Sequence, residues 1–383
     1  MTEHTAPTGD RHYDIATLPG DGIGNEVVPA AISVLDELGR IHGVSFAWKQ
    51  QEWGCEYFLR TGRMMPEDAL DQIADDDAIF LGAVGAPGVP DHESLWGMLI
   101  PIRREFDQYV NLRPARLLRG VPGPLAAATP SDFDMVVIRE NVEGEYSRIG
   151  GRLYAGTPHE LVIQESVFTR RGVERVMEFA FGLAATRRGN LTSATKSNGI
   201  VFTMPFWDEV FAERAAAHPE IETQQYHIDA LAALFVLDPR RFDVVVASNL
   251  FGDILTDLGA AVAGSIGIAP SANISPERTY PSMFEPVHGS APDIAGRGIA
   301  NPIGQIWSGA LMLEHLGEHT AAEHLMRALE EVIAEGVKTP DLGGNANTTE
   351  VADACIDRLR ATGSVGDRLA TAPQSAEAAP AAG

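Results

Sequence analysis

The sequence predicts an α/β protein with a largely parallel sheet. Strand-like apolar runs alternate with helix-like segments along most of the 383 residues, a pattern typical of parallel strands joined by helices. The runs AIFLGAVG, DMVVIRE and FDVVVASN are predicted to be buried strands, because each is short, apolar and bounded by charges or turns. Apolar residues make up 45% of the chain, which is enough for a large core. At roughly 150 residues per domain, the length favours two or three domains.

The first predicted elements are a strand and turn over 13–20, YDIATLPG, and a helix over about 25–42. The other predicted elements, in chain order, are strands over 78–85, 134–140 and 242–249 and helices over 255–267 and 306–317. Both chain ends, 1–12 and 364–383, are small, polar and rich in proline or alanine, and are predicted to be mobile tails.

Residues 147–170 predict a β-hairpin, because a Gly-Gly turn separates β-branched and aromatic runs. Such a hairpin either swaps onto a partner subunit or forms a surface loop of its own subunit, and the residues alone favour neither.

Charge and composition exclude several functions. The chain has 29 Lys+Arg against 53 Asp+Glu, a formal net charge of −24, which repels nucleic acid where no basic run is concentrated. The longest nearly apolar stretch, 258–270, is too short to span a membrane. The N-terminus lacks the apolar run of a secretory signal. Cys55 and Cys355 are expected to be free thiols. We therefore expect a cytoplasmic protein with no nucleic-acid or membrane partner.

The motif LPGDGIGNE at 18–26 follows a predicted strand and precedes a predicted helix. The standard dinucleotide fingerprint, G-x-G-x-x-G, requires its third glycine where this chain has Asn25, and Gly24 comes one position early. We therefore reject the fingerprint and predict a tight strand-to-helix turn.

Three arginines are candidates for binding a small dicarboxylic acid. Arg103 and Arg113 lie in IRREFDQYVNLRPAR, and Arg139 ends the predicted strand DMVVIRE. Guanidinium groups bind carboxylates bidentately, and sites in parallel sheets lie at strand ends. The alternative is that these arginines are solvated or paired with surface acids.

A hard divalent ion is the second candidate ligand. Asp253 and Asp257 lie four residues apart on a predicted helix, so their charges repel unless a cation lies between them. Asp229 opens another apolar helix. Carboxylates without clustered Cys or His favour Mg²⁺ or Mn²⁺. The alternative makes Asp253 a helix N-terminal charge and Asp257 a solvent-facing residue.

Two further residues suit proton transfer. Lys196, one of only three lysines, lies in the polar loop SATKSNGI, and Tyr146 supplies a phenol. Ordinary surface placement is the alternative for both. The loop FEPVHGSAPDIAG at 284–296, with Asn301, is of the Gly/Pro-rich kind that lets backbone approach a ligand.

Together these segments resemble the β-decarboxylating dehydrogenases, the isocitrate and 3-isopropylmalate dehydrogenase family. The resemblance covers about 13–359 and rests on the Arg103–Arg113 and Arg139–Tyr146 spacings, the lysine loop, SNLFGDILTD and EPVHGSAPDI. The segments SLWGMLIPIRREFDQYVNLRP, YHIDALAALFVL and GIAPSANISPER are most similar to the D-malate and tartrate dehydrogenase branch.

The resemblance implies a role for each candidate. Arg103, Arg113 and Arg139 would bind the substrate carboxylates. Lys196 of the neighbouring subunit would accept the hydroxyl proton, and Tyr146 would protonate the enolate carbon after CO₂ leaves.

It also implies two cofactors, a divalent ion and NAD. Asp253 and Asp257, with Asp229 of the neighbouring subunit, would hold Mg²⁺ or Mn²⁺. The residues implied for NAD are Asn198, Glu285, His288, Gly289, Ser290, Ala291, Asp293 and Asn301. Asp293 suits a ribose with free hydroxyls and would repel a 2′-phosphate, so NAD is favoured over NADP. A requirement for K⁺ stays open.

The fold implied by the resemblance is isopropylmalate dehydrogenase-like, with two domains, a central mixed and largely parallel sheet and no standard Rossmann fold. Residues 1–109 and 265–383 would form a large NAD-binding domain. Residues 110–264 would form a small domain with the dimer interface and a hairpin arm at about 147–170. The active site would lie in the cleft and be completed by the other subunit of a homodimer.

The expected reaction is oxidation and decarboxylation of D-malate to pyruvate and CO₂, with tartrate as a further substrate. Isocitrate enzymes have Ser and Asn where this chain has Gly97 and Leu99, which argues against isocitrate. Leu99 and Ile100 suit 3-isopropylmalate, whereas Trp96 is expected to crowd the pocket and favour a small acid. The alternatives are 3-isopropylmalate dehydrogenase, a non-catalytic organic-acid and metal-binding regulator, and a metal-dependent hydrolase.

Overall fold

The computed structural model describes residues 11–123, 125, 129 and 133–370. Its strands are β1 (Arg11–Gly20), β2 (Val44–Gln50), β3 (Ala78–Ala83), β4 (Val110–Arg116), β5 (Asp134–Glu140), β6 (Gly150–Leu153), β7 (Leu161–Gln164), β8 (Asn190–Thr195), β9 (Glu222–His227), β10 (Val244–Ala247), β11 (Pro270–Ile274) and β12 (Ser282–Pro286).

Its helices are α1 (Gly24–His42), α2 (Cys55–Thr61), α3 (Ala69–Ile73), α4 (Asp91–Ser94), α5 (Ile100–Glu105), α6 (Arg170–Thr186), α7 (Thr203–Ala217), α8 (Ile228–Leu237), α9 (Asn249–Val262), α10 (Ile303–Leu316), α11 (His319–Ala334) and α12 (Thr348–Ala370). A π-helical turn, Leu95–Leu99, joins α4 to α5. None of the helices described is both long enough and apolar enough to cross a membrane.

One sheet organises the molecule. It has ten strands in the order β2-β1-β3-β12-β11-β4-β5-β10-β8-β9. Neighbours are parallel from β2 to β12 and again from β5 to β9, whereas the pairs β12–β11, β11–β4 and β4–β5 are antiparallel. The prediction of a mixed, largely parallel α/β sheet is confirmed. The strand order also differs from the 3-2-1-4-5-6 order of a Rossmann fold, as the rejected fingerprint predicted.

The sheet changes chain segment at its middle. Strands on one side of the β11–β4 junction all come from 1–109 and 265–383, and strands on the other side all come from 110–264. The two-domain division remains a prediction. The three antiparallel strand pairs of the sheet lie at or beside the junction between the two segments.

The glycine motif at 18–26 forms the predicted tight turn between β1 and α1. Gly20 has φ 71, and a Cβ at this position would lie 2.0 Å from the carbonyl oxygen of Ala83, so a side chain is excluded there. The buried carboxylate of Asp21 accepts hydrogen bonds from the amides of Cys55 and Gly85, both at 2.9 Å. These bonds fix the turn against β3 and the start of α2.

Two predicted boundaries differ from the structure. β1 begins at Arg11 and α12 continues to Ala370, so both predicted tails are too long at their inner ends. The remaining tail residues, 1–10 and 371–383, lie outside the described residues. The helix predicted over 255–267 occupies Asn249–Val262 instead, and Gly264, with φ 122, lies just beyond its end. A residue with this φ cannot continue an α-helix.

The hairpin predicted at 147–170 is confirmed. β6 and β7 pair only with each other, as an antiparallel two-stranded sheet, from Gly150↔Gln164 to Leu153↔Leu161. Several of its apolar side chains are exposed in the chain, including Leu153 at 55% and Val162 at 67%.

Candidate active site

Helix α9 packs against β4 and β5 and carries both aspartates of the SNLFGDILTD motif. The Glu145 carboxylate accepts hydrogen bonds from the Ser248 hydroxyl at 2.7 Å and the Leu250 amide at 3.0 Å. A carboxylate in this position satisfies free amides of the first turn and is attracted to the helix N-terminus. The sequence reasoning did not identify this anchor, which is the residue before Tyr146.

The three predicted arginines converge on one cavity of about 220 Å³. Arg103 comes from α5, Arg113 from β4 and Arg139 from β5, and all three are at least nine-tenths buried. Tyr146 and Asp253 line the same cavity. Buried arginines facing one small polar cavity favour the carboxylate-binding interpretation over the alternative of solvated arginines.

Arg139 is held by α9. Its Nε and one terminal nitrogen donate to the Oδ1 of Asn249 at 3.0 and 2.7 Å, and the other terminal nitrogen donates to Asp253. Burial and the nearby Arg113 lower the pKa of Arg139 to about 10, so the guanidinium stays charged at neutral pH. Asn249 was not predicted as a site residue, although its place four residues before Asp253 is a signal that could have identified it.

Arg113 and Arg103 have separate partners. Arg113 donates to the Thr256 hydroxyl at 2.7 Å and lies 3.7 Å from Asp253 and 3.8 Å from Asp257. Arg103 donates to the Glu285 carboxylate at 2.8 Å. Each guanidinium is thus already oriented towards the cavity before any ligand binds.

Tyr146 lies against the acidic side of the cavity. Its hydroxyl donates to the Oδ2 of Asp253 at 2.6 Å, and its ring lies 5.5 Å from the guanidinium carbon of Arg139. Burial and the Asp253 carboxylate raise the pKa of Tyr146 to about 12. For Asp253 itself, burial raises the pKa, but attraction to Arg139 and Arg113 outweighs burial and lowers it. The phenol is therefore protonated and the carboxylate charged at neutral pH.

The two aspartates of α9 fit a hard divalent ion. Burial and the neighbouring Asp253 raise the pKa of Asp257, as expected for carboxylates that repel each other. A divalent cation between two carboxylates would remove that repulsion, and oxygen donors are those that Mg²⁺ and Mn²⁺ prefer. In the described part of one chain, no group of three or more His, Cys, Asp or Glu side chains could hold a metal ion.

Asp229, Lys196 and Asn198 do not line the arginine cavity of their own chain. Lys196 follows β8 and donates to the Asp229 carboxylate at 2.8 Å, and this hydrogen bond lowers the pKa of Asp229. Asp229 lies in the first turn of α8 as predicted, and Asn198 is exposed two residues after Lys196. The structure thus brings Lys196 and Asp229 together, but on a separate surface.

A second, larger and mainly apolar cavity of about 550 Å³ lies beside the arginine cavity. His288 lines both cavities, and Ala291 and Asn301 line the larger one with Asp341. The buried Nε2 of His288 has no hydrogen-bond partner, which suits a ligand with a polar group at this point. The described lining contains no lysine or arginine, so it offers no charge for a 2′-phosphate.

The other residues implied for NAD are divided between these two cavities and the surface. Glu285 and Gly289 line the arginine cavity. The carbonyl oxygen of Ser290 accepts from the Ile23 amide at 2.9 Å, which ties the loop to the glycine turn. Asp293 is exposed and lies in neither described lining.

Trp96 lines a neighbouring cavity of about 600 Å³ together with Leu95 and Tyr146, and its expected crowding of the substrate stays a prediction. Trp96 is not part of the lining of the arginine cavity, where Leu95 and Leu99 supply the apolar wall. In the π-helical turn the guanidinium groups of two other arginines lie over the Trp96 ring. Gly97 is fixed by packing, because a Cβ there would lie 2.7 Å from the Cγ of Met64.

Comparison with known proteins agrees with this geometry. The family model described as isocitrate/isopropylmalate dehydrogenase matches residues 14–355. The chain is 60% identical over 348 residues to D-malate dehydrogenase (decarboxylating) of Escherichia coli strain K12, covering 89% of this chain and 96% of that protein. It is 56% identical over 356 residues to tartrate dehydrogenase/decarboxylase of Pseudomonas putida, covering 91% and 98%.

Among solved structures, isocitrate dehydrogenase from Methylococcus capsulatus matches with a TM-score of 0.82 and 36% sequence identity, over 91% of this chain and 99% of that one. The sheet, the arginine cavity and these similarities lead to one assignment. The chain belongs to the isocitrate/isopropylmalate dehydrogenase family and is a decarboxylating hydroxy-acid dehydrogenase of the D-malate and tartrate dehydrogenase branch.

Proposed function

We propose that the protein catalyses the NAD-dependent oxidative decarboxylation of D-malate to pyruvate and CO₂, with tartrate as a further substrate. The observation that carries the proposal is the convergence of Arg103, Arg113 and Arg139 on one small cavity beside Tyr146 and Asp253. The names of the relatives, D-malate dehydrogenase and tartrate dehydrogenase/decarboxylase, support the same substrate class.

The arginines supply the charge that a dicarboxylate dianion needs. Within the single chain, Arg113 and Arg139 both form ion pairs with Asp253. A divalent ion held by Asp253 and Asp257 would draw these carboxylates away from the guanidinium groups, which could then bind the substrate carboxylates bidentately. Metal and substrate binding should therefore be cooperative.

Each proposed cofactor supplies one part of the chemistry. Mg²⁺ or Mn²⁺, when bound, polarises the C2 oxygen and stabilises the negative charge that develops as CO₂ leaves. NAD, when bound in the cavity lined by His288, Ala291 and Asn301, accepts a hydride from C2.

Tyr146 and Lys196 are proposed to move the two protons. The neutral Tyr146 phenol lies in the cavity and donates its proton to the carbon from which CO₂ departs. Lys196 accepts the proton of the C2 hydroxyl, a task for which an amine is suited and a guanidinium is not.

A second subunit is proposed to supply Lys196 and Asp229. Neither residue lines the arginine cavity of its own chain. Apolar side chains in the segments that follow them are strongly exposed, with Phe202 at 85% and Leu237 at 78%. Exposed apolar groups of this size favour a protein interface, and a homodimer would bring the pair to the neighbouring cavity.

The remaining choice is between D-malate and 3-isopropylmalate. Leu95 and Leu99 would contact the substituent at C3, and an apolar wall suits an isopropyl group. The names of the relatives, D-malate dehydrogenase and tartrate dehydrogenase/decarboxylase, favour the smaller acid.

The test is the initial rate of NADH formation with Mn²⁺ on D-malate, tartrate and 3-isopropylmalate, measured side by side with CO₂ trapping. We expect D-malate to give the highest kcat/KM and one CO₂ per NADH. A higher kcat/KM for 3-isopropylmalate would refute the substrate assignment and leave the family unchanged. Turnover of none of the three acids would refute the proposed function.

A further inference from the structure

Two guanidinium groups lie over the ring of Trp96. The guanidinium carbons of Arg104 and Arg148 are each 5.1 Å from its centroid, which is within the range of cation–π attraction. Arg104 follows the cavity residue Arg103 on α5, and Arg148 lies two residues after Tyr146. The stack thus joins α5 to the segment that carries Tyr146.

Arg104 also holds that segment directly. Its Nε donates to the carbonyl oxygen of Val142 at 3.1 Å, and a terminal nitrogen donates to the carbonyl oxygen of Tyr146 at 2.6 Å. Between β5 and β6 the chain forms neither helix nor strand, apart from an isolated β-bridge from Gly144 to Val167. Hydrogen bonds from a charged donor to these carbonyls therefore set the path of the main chain at Tyr146.

We propose that Arg104 and Trp96 are positioning residues for Tyr146, and that the Arg104–Trp96–Arg148 stack holds the phenol at its place beside Asp253. Neither Arg104 nor Trp96 lines the arginine cavity, so both act through the Tyr146 segment. The inference rests on the proposed function, because it takes Tyr146 as the proton donor after decarboxylation.

The geometry explains why Arg104 needs a guanidinium. The Arg104 guanidinium lies over the Trp96 ring and at the same time donates to two carbonyl oxygens. A lysine ammonium is a point charge and cannot do both. Arg104→Lys should therefore retain part of the activity that is lost in Arg104→Met. Trp96→Phe should retain most of the activity that is lost in Trp96→Ala.

The first test compares steady-state kinetics. Arg104→Met and Trp96→Ala are expected to lower kcat for D-malate by about 10- to 100-fold, with KM for D-malate and NAD within about threefold of wild type, because the binding arginines are untouched. Arg60 is the matched control, since its guanidinium lies 5.7 Å from the Tyr57 ring on the surface. Arg60→Met should keep wild-type kcat, whereas an equal loss in this variant would overturn the proposal.

The second test separates positioning from general damage by stopped-flow. Hydride transfer precedes protonation, so Arg104→Met should form the first equivalent of NADH at close to the wild-type rate and then turn over slowly. A burst of one NADH per site followed by a slow phase is the expected result. If the first NADH forms as slowly as later ones, Tyr146 positioning is refuted, since a distorted site slows both steps.

A double-mutant cycle tests the stack itself. Arg104→Met with Trp96→Ala should cost little more in kcat than Arg104→Met alone, because the two side chains act as one unit. Multiplicative losses would remove Trp96 from the proposal.

A protein that turns over none of the three acids would refute the proposed function, and the stack is then tested without substrate. The fluorescence of Trp96 is the part of the emission that Trp96→Phe lacks. Quenching of this part by acrylamide should increase in Arg104→Met and stay unchanged in Arg60→Met. Unchanged quenching would refute the stack, so the two failures are distinguishable.

Discussion

At the scale of single residues, the sequence predicted the chemical groups of the site better than their surroundings. Arg103, Arg113 and Arg139 line one cavity, which the hypothesis of a shared dicarboxylate site requires. The partners Asn249 and Glu145 were not predicted. The spacing of Asn249 from Asp253 was a signal that could have identified it, whereas the hydrogen bonds of Glu145 join distant segments and leave no local pattern.

Arg139→Lys tests the need for a planar guanidinium. Nitrogens of Arg139 bond Asn249 twice and Asp253 once, and an ammonium cannot reproduce that fork. We expect kcat/KM for D-malate to fall by about 100-fold, measured as initial NADH formation. Arg63→Lys, at a surface pair with Glu67, is the control. Activity within threefold of wild type in Arg139→Lys would contradict the assigned role.

We predict that His315 makes the stability of the folded protein depend on pH. Burial and then the nearby Arg278 lower the pKa of His315 to about 4. Between pH 4 and 6.5 the unfolded chain binds the proton and the folded chain does not, so stability is lost as the pH falls through this window. The difference between 6.5 and about 4 corresponds to about 3 kcal/mol.

The measurement is urea unfolding of wild type and His315→Gln from pH 4 to 7.5. The wild-type free energy of unfolding, relative to the variant, should fall by about 3 kcal/mol as the pH is lowered. Burial raises the pKa of Glu140 to about 7, which acts with the opposite sign in the same window but cancels between the two proteins. A difference that does not change with pH would refute the prediction.

At the scale of elements, α9 decides the geometry of the site. It was predicted as an apolar helix over 255–267 that also carries Asp253, and in the structure it begins at Asn249, directly after Ser248. Packing requires a glycine at position 252, because a Cβ on Gly252 would lie 2.6 Å from the Cβ of Arg139. The helix can approach β5, and place Asp253 against Arg139, because this position has no side chain.

Gly252→Ala is therefore expected to push α9 away from β5 and lower kcat/KM for D-malate by at least about 10-fold. Gly182→Ala in α6 is the matched control, because a Cβ there would meet nothing within 4 Å. The control should keep its activity and gain up to about 1 kcal/mol of stability, since alanine favours a helix interior. Both variants are compared by initial rates and urea unfolding. An unchanged kcat/KM in Gly252→Ala would show that close packing of α9 on β5 at this position is not needed for activity.

At the scale of the whole molecule, the sheet joins the two chain segments and the cavity lies at their junction. Arg103 and Glu285 come from the segments 1–109 and 265–383, whereas Arg113, Arg139 and Asp253 come from 110–264. Since neither segment carries the whole site, relative movement of the two would open or close the cavity.

The shared-site proposal predicts complementation between two inactive variants. Lys196→Ala and Tyr146→Phe, unfolded and refolded together, should form heterodimers in which one site has both Lys196 and Tyr146. Random pairing gives about one quarter of wild-type activity, measured as NADH formation after mass spectrometry has verified the heterodimers. Verified heterodimers without recovered activity would remove the shared-site proposal.

The sequence by itself determined the fold class and identified the groups that are proposed to react. Strand runs, the glycine turn and the arginine and aspartate motifs are local patterns, and each is set by covalent geometry and hydrogen bonding within a few residues. Tertiary structure decided what those groups touch: the Trp96 ring lies under Arg104 and Arg148 and outside the lining of the arginine cavity. Such contacts depend on packing between segments far apart in the chain, and no local pattern records them.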